Sequence, residues 1–288
     1  MIKKAIIPVA GKGTRFLPVT KIVCKTLFPI INKPTIQYLI EELEKANVNE
    51  VIIVINDEQT DIVDYFDLNS NYYKNLKKEY KELKELQQII ENLKISFVVQ
   101  KEPKGLGDAI LCCKDLIGSD DFVVLLGDDL VLPNGNEVYG IGDLIEKYNS
   151  NPAYYIGVKK VKEDETKKYG IVKVDKFEGV MKVIDMVEKP QSNPPSNFAG
   201  VGRYILRNNV FEYLLSKPYD GIHEVQLTDA FIMACKQENV YAFPFRGTRY
   251  DVGDHAGYVK ANIAKALEDD TINEEILKFI EEEMKRRR

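Results

Sequence analysis

Four continuous apolar runs of strand length alternate with helical patterns through the first 130 residues, and this alternation constrains the fold most. Lys3–Val9, Val51–Ile55, Ile95–Val99 and Phe122–Leu126 are near-continuously apolar, broken only by Lys3-Lys4 at one start and by Ser96, rather than apolar at every second residue. Strands buried on both faces read this way. Between them, Ile36, Leu39, Ile40 and Leu43 follow Pro34 at helical spacing, as do Leu83, Leu86, Ile89, Ile90 and Leu93 further on. The pattern predicts an α/β chain with a Rossmann-like, mixed and mainly parallel sheet flanked by helices. Ligands of such sheets bind beyond the carboxyl ends of the strands. The first and fourth runs end in the two loops richest in chemistry, Ala10–Arg15 and Gly127-Asp128-Asp129.

The second half is less regular. Short β-like runs (Tyr154–Val158, Gly170–Val174, Met181–Val187, Gly200–Leu206) lie between turn clusters such as Gln191–Ser196. They predict a β-rich, antiparallel extension of the same sheet. Helices are expected near Asn208–Leu215 and Leu227–Cys235, and a helical tail over Asp254–Arg288. The closing Lys285–Arg288 run suits a helix C-terminus, where cations complement the macrodipole.

Composition narrows the function. The 40 basic and 45 acidic residues leave a net charge of −5, without the basic excess that duplex nucleic acid demands. No window approaches 18 unbroken apolar residues, and Pro8 interrupts the opening run too early for a signal sequence. A cytoplasmic protein without membrane contact is expected. Cys24, Cys112, Cys113 and Cys235 lack CxxC spacing and read as reduced thiols, mostly core filler. Two histidines, His223 and His255, exclude a His-rich metal site, and no GxSxG supports a hydrolase triad.

The loop Ala10-Gly11-Lys12-Gly13-Thr14-Arg15 has two glycines that let backbone N–H groups approach a phosphate, with Arg15 and Lys25 adding positive charge. It is neither a Walker A loop nor GxGxxG, since Phe16 occupies the third glycine's place. Read alone, it is equally a glycine-containing turn with solvated charges.

From Ile6 through Pro18, and on through Thr20-Lys21 and Lys25 to Asn32-Lys33-Pro34-Thr35-Ile36-Gln37-Tyr38, the chain resembles bacterial UTP–glucose-1-phosphate uridylyltransferases. Five later blocks agree in order: Gln100–Gly107, Leu125–Asp129, Val187–Pro190, Glu224–Ala230 and Tyr250–Asp254. The resemblance spans roughly residues 3 to 268. It implies one domain over 1–288, with a nucleotide-binding half to about residue 135, a sugar-binding half to about 253 and a short tail. It further implies that the backbone of Ala10 and Gly11 meets uracil, with Gln100 and the backbone of Gly105 completing recognition. Gly13 and Thr14 fall on the same nucleotide loop. Arg15 and Lys25 match phosphate-neutralising residues, Lys189 the residue that holds the sugar phosphate, and Glu188 the acceptor of sugar hydroxyls. Gly170 and Gly200 match the sugar pocket, and Asp128 and Asp251 the carboxylates that hold Mg²⁺. The implied reaction joins UTP and glucose 1-phosphate into UDP-glucose and pyrophosphate, in an enzyme that assembles as a dimer or tetramer.

The chain departs from the pattern at three positions. Thr26 replaces a glutamate beside Lys25, Asp108 a histidine after Gly-Leu-Gly, and Gly200 a branched apolar residue. Thr26 is expected to leave a solvated triphosphate site more positive than in relatives, and Gly200 to loosen sugar specificity. The alternatives are a glucose-1-phosphate thymidylyltransferase, differing chiefly in the base pocket, and a non-catalytic nucleotide-sugar-binding regulator. Retention of Lys25, Asp128, Lys189 and Asp251 argues against the second.

Overall fold

The computed structural model describes residues 1–69, 71–76, 80–135, 138–177 and 180–287. Its opening strand, β1 (Lys4–Pro8), alternates sides as any strand must. Ala5, Ile7 and Val9 enter one hydrophobic cluster and Ile6 enters another on the opposite face. A small hairpin of β2 (Pro29–Ile30) and β3 (Lys33–Pro34) follows. Next come β4 (Glu50–Ile55), β5 (Lys94–Val99) and β6 (Phe122–Leu125), each paired in parallel as the apolar runs predict. The helix Thr35–Lys45, between β3 and β4, buries Ile36, Leu39, Ile40 and Leu43 completely.

The remaining strands are β7 (Asp129–Leu132), β8 (Tyr154–Lys160), β9 (Gly170–Phe177), β10 (Val180–Glu188), β11 (Phe198–Leu206), β12 (Val240–Pro244) and β13 (Thr248–Asp251). The described residues form a nine-stranded sheet in the order β5-β4-β1-β6-β11-β8-β12-β10-β9. Its first half is parallel and its second antiparallel apart from the β8–β12 pair. A separate ribbon pairs β7 with β13 antiparallel, setting Asp251 opposite Asp129. The tail is two helices, His255–Glu268 and Asn273–Arg286, rather than one continuous stretch. Arg288 lies outside the described residues. Of the four free thiols only Cys24 and Cys113 are buried, while Cys112 is exposed and Cys235 half-buried, so core packing accounts for two of them.

The connectivity positions the site. From β1 the chain moves outward to β4 and β5, then returns to β6 on the other side of β1. The strand order therefore reverses between β1 and β6, and a crevice opens beyond their carboxyl ends. Gly127 is buried beneath it, where β6 ends against the end of β1. A Cβ there would lie 2.8 Å from Val9 Cγ1 and 3.0 Å from Thr26 Cγ2, so only glycine lets the two strand ends approach.

Glu42 on the helix Thr35–Lys45 ties this layer to β11. Its carboxylate accepts from Arg203 Nε at 2.8 Å and Nη2 at 2.7 Å, and its Oε1 also accepts from the Ile141 N–H at 2.7 Å. Both charged side chains are essentially inaccessible to water. Removing one partner of such a pair strands a buried charge, whereas replacing both with apolar groups is often neutral. Glu42→Ala is expected to cost about 3–5 kcal/mol of unfolding free energy in urea. Glu42→Leu combined with Arg203→Met should recover most of that loss. A single variant within about 0.5 kcal/mol of wild type would show that the pair carries no such role.

Candidate active site

Two adjoining cavities occupy the crevice, of about 510 and 780 Å³. Both fall in the range of small-molecule sites. The first is lined by Ala10, Gly11, Thr14, Lys25, Gln100 and the cation Lys12, among others. Arg15, Asp128, Gly170, Glu188, Lys189, Gly200 and Asp251 line the second. Lys25 belongs to one wall and Asp128 to the other, and their ion pair at 2.6 Å stands where the cavities meet.

The first cavity is built by loops leaving β1, β4 and β5. Ala10 is held by Asn56, whose Nδ2 donates to its carbonyl at 3.1 Å, and Val9 by Gln59 Nε2 at 3.0 Å. Gly13 adopts φ +60°, and its carbonyl accepts from the Thr20 hydroxyl at 2.9 Å, so it shapes the loop from behind the cavity wall. Phe16 packs edge-on against Phe28, His255 and Tyr258, which anchors the loop to the tail. Arg15 Nη1 donates to the Gly253 carbonyl at 3.2 Å. Gln100 is buried at the end of β5, and Nε2 donates to the Gly105 carbonyl at 3.1 Å and to Asp108 at 2.7 Å. Gly105 accepts that bond but is not itself on either wall.

In the second cavity, Asp128 and Asp251 converge although 123 positions separate them in the chain. A methyl group placed on Gly253 would sit 2.9 Å from Asp128 Oδ2 and 3.1 Å from Asp251 Oδ1. The Val252 N–H donates to the Asp128 carbonyl at 2.9 Å, which clamps the two loops together. Asp129, a turn carboxylate by sequence, is ion-paired with Arg249 instead. Arg249 also reaches Asp251 at 3.6 Å and donates to the Tyr169 hydroxyl at 3.1 Å. Asp254 caps the helix His255–Glu268, accepting from the Gly257 N–H at 3.0 Å.

The electrostatics follow from this crowding. Burial raises the Asp128 pKa, but Lys25 outweighs it and holds the carboxyl below its usual range. Burial lifts Asp129 to about 6 against the pull of Arg249, with Asp128 and Asp251 adding to the rise. Asp251 is likewise raised by burial, opposed by Arg249 and reinforced by Asp128. Two carboxylates plus phosphate oxygens suit a hard divalent cation, which takes few protein ligands when substrate supplies the rest. Among the described residues, no group of three or more His, Cys, Asp or Glu forms a cage of its own.

Glu188 is fixed by Thr228, whose hydroxyl donates to Oε2 at 2.6 Å, and its Oε1 lies 3.4 Å from Lys189 Nζ. Lys189 has φ +43°, uncommon for a residue with a Cβ, and its N–H donates to the Tyr169 carbonyl at 3.0 Å. Strain of this kind concentrates at functional sites. A Cβ on Gly170 would meet Met186 Cε at 2.5 Å and Glu188 Oε2 at 3.1 Å. Gly200 is more forgiving, with Ile156 and Met186 at 3.3 and 3.4 Å.

The sequence did not single out Arg249, Thr228, Asn56 or Gln59. Arg249 had a signal: it sits two residues before Asp251, hence on the same face of β13. The other three act through contacts that no local pattern encodes.

A family model described as "Nucleotidyl transferase" matches residues 4–268. The chain is 42% identical over 283 residues to UTP–glucose-1-phosphate uridylyltransferase 2 of Staphylococcus saprophyticus, covering 97% of each chain. It is 40% identical over 284 residues to the UTP–glucose-1-phosphate uridylyltransferase of Bacillus subtilis, covering 97% of this chain and 96% of that one. Among solved structures it is similar to a UTP-bound UGPase from Acinetobacter baumannii, at 37% identity and TM-score 0.87 over 97% of this chain and 99% of the other. A glucose-1-phosphate thymidylyltransferase structure from Bacillus anthracis shares the fold at 24% identity and TM-score 0.72, over 90% and 93% of the two chains.

Thr26 corrects one expectation. It is 1% exposed, with its hydroxyl 3.2 Å from Cys24 Sγ and its methyl against Gly127, so it faces the interior rather than a solvated triphosphate site. Thr26→Glu would place a carboxylate in that packed space. The expected result is a loss of roughly 1–3 kcal/mol in urea unfolding. Unchanged stability with weakened UTP binding would restore the solvated picture.

Proposed function

This chain belongs to the nucleotidyl transferase family, and we propose that it catalyses UTP + glucose 1-phosphate → UDP-glucose + pyrophosphate. The observation that carries the reading is the pair of cavities meeting at Lys25, Asp128 and Asp251, with base-recognition residues in one and Glu188-Lys189 in the other. Whole-length relatives named as UTP–glucose-1-phosphate uridylyltransferases support the choice of substrates. The thymidylyltransferase likeness lies below 25% identity and speaks for the fold alone. We place the nucleotide with residues 1–135, the sugar with residues 136–253, and the tail outside the chemistry.

The site binds two anions that repel one another and aligns them. Ala10, Gly11 and Gln100 receive the base beside Thr14, with Gly13 and Gly105 shaping the wall from behind. Arg15 and Lys25 neutralise the triphosphate. Glu188, held by Thr228, accepts from the sugar hydroxyls beside Gly170 and Gly200, and Lys189 grips the sugar phosphate. A phosphate monoester has its second pKa near about 6, so the nucleophile is already an anion and needs no side-chain base. Its oxygen attacks the α-phosphorus in line while the bond to the departing pyrophosphate breaks. Nucleotidyl transferases use a divalent metal, here proposed to be Mg²⁺ on Asp128 and Asp251, which when bound neutralises charge growing on the leaving group.

A cytoplasmic location and a homodimer or homotetramer complete the reading. In support, no described helix is long and apolar enough to cross a membrane. The two tail helices also leave Val259, Ile263, Leu277, Phe279 and Met284 exposed.

Pyrophosphate release measured with UTP, glucose 1-phosphate and Mg²⁺ tests the reaction, and its absence would overturn the proposal. Asp128→Ala and Asp251→Ala are each expected to lower kcat by roughly two to four orders of magnitude. Near-wild-type turnover at saturating Mg²⁺ would remove that residue from the metal site. Lys189→Ala should raise KM for glucose 1-phosphate far more than KM for UTP. An effect confined to UTP would assign the lysine to the other substrate.

A further inference from the structure

Gln100 Nε2 spends both of its hydrogens inside the protein, on the Gly105 carbonyl at 3.1 Å and on Asp108 Oδ2 at 2.7 Å. Both partners are acceptors: a carbonyl has no proton to give, and neither has an ionised carboxylate. Turning the amide over would set Gln100 Oε1 against two oxygens and forfeit both bonds, one of them charge-assisted. The orientation is therefore dictated by its surroundings. Among the described residues nothing donates to Oε1, and Arg207 Nε is the only buried side-chain polar atom without a partner. Oε1 is thus the atom that this side chain offers to the nucleotide cavity, whose wall includes Gln100 but not Asp108.

The backbone beneath Asp108 is pinned. The helix Leu106–Leu111 is tied to the segment ahead of Leu227 by the Gly107 N–H donating to the Val225 carbonyl at 2.8 Å. A Cβ on Gly107 would collide with Leu214 and Val225 at 2.8 Å, so the helix cannot slide away from its seat.

We propose that Asp108 is a positioning residue for base selection: it holds the Gln100 amide with its oxygen outward, so the site accepts the N3–H of uracil and refuses cytosine. Uracil presents a donor at N3, whereas cytosine presents an acceptor there and would face Oε1 with lone pair against lone pair. Thymine has the same N3–H as uracil and is not distinguished by this contact. A hydrogen-bonding site of this kind discriminates because the wrong partner leaves a desolvated polar group unpaired. The inference rests on the uridylyltransferase reading and deepens it.

The test compares the full-length wild type and Asp108→Asn with glucose 1-phosphate, Mg²⁺ and UTP, dTTP or CTP in turn. Asparagine keeps the shape but offers either an oxygen or an amide to Gln100, leaving the Gly105 carbonyl as the sole fixed restraint on the amide. The kcat/KM ratio of CTP to UTP should rise about tenfold or more, the scale of one charge-assisted hydrogen bond. The dTTP-to-UTP ratio and KM for glucose 1-phosphate should stay within about twofold, which general loosening of the fold would not leave intact. Asp108→Ala deletes the acceptor by another route and must move the same ratio in the same direction, should Asp108→Asn not fold. UTP turnover with an unmoved CTP ratio in the folded variant overturns the role of Asp108 alone. Absence of UTP turnover in the wild type overturns the uridylyltransferase reading and this inference with it.

Discussion

Three carboxylates from two distant stretches of chain meet at one point, and the site can exist only because Lys25 and Arg249 balance them. At an effective dielectric near 20, like charges about 4 Å apart repel by about 4 kcal/mol. Asp129 stands directly opposite Asp251 in the β7–β13 ribbon, an unfavourable cross-strand pairing without a cation between them. Arg249 fills that place on Asp129, and Lys25 takes Asp128. Balance divides the labour. Asp129 is committed to Arg249, while Asp128 and Asp251 remain where a phosphate-bridged cation would need them.

The sheet determines where this balance is struck. Reversal of strand order beside β1 leaves one crevice, and the loops from β1, β4, β5 and β6 all open into it. The antiparallel extension then brings Glu188 from β10 and Gly200 from β11 to the same crevice. Its attachment is not left to apolar packing alone. The inaccessible Glu42–Arg203 pair joins β11 to the helix Thr35–Lys45, and Glu42 at the same time holds the start of the helix Ile141–Ser150. A buried ion pair is weak evidence for stability, but it has one geometry. That geometry sets the strand carrying Gly200 against the half carrying Asp128.

Much of this was legible in the sequence, for physical reasons that differ from residue to residue. Continuous apolar runs announce strands of a covered sheet, so β1, β4, β5 and β6 could be read within a residue or two, although β5, at the sheet edge, is only half-buried. The helix Thr35–Lys45 declared itself through Ile36, Leu39, Ile40 and Leu43. The site loops could be placed because chemistry at the end of a parallel strand has one direction to face. What stayed hidden depends on contacts between distant positions. Asp129 and Asp128 look alike in a turn, and only the ribbon register hands one to Arg249. Thr26 looks like a polar loop residue beside a lysine, yet the 3₁₀ turn Lys25–Leu27 rotates it inward against Gly127. No local pattern explains Asp108, because only the fold brings its carboxylate to 2.7 Å from Gln100 Nε2.

A crystal structure of the chain with UDP-glucose and Mg²⁺ tests the central claim most directly, because it asks which cavity takes which half of the product. Uracil is expected between the Ala10-Gly11 backbone and Gln100 Oε1, and glucose among Glu188, Gly170 and Gly200. The diphosphate should cross at Lys25, and the ion should sit on Asp128 and Asp251. Uracil in the cavity of Glu188 and Lys189, or a metal bound away from both aspartates, would contradict the account.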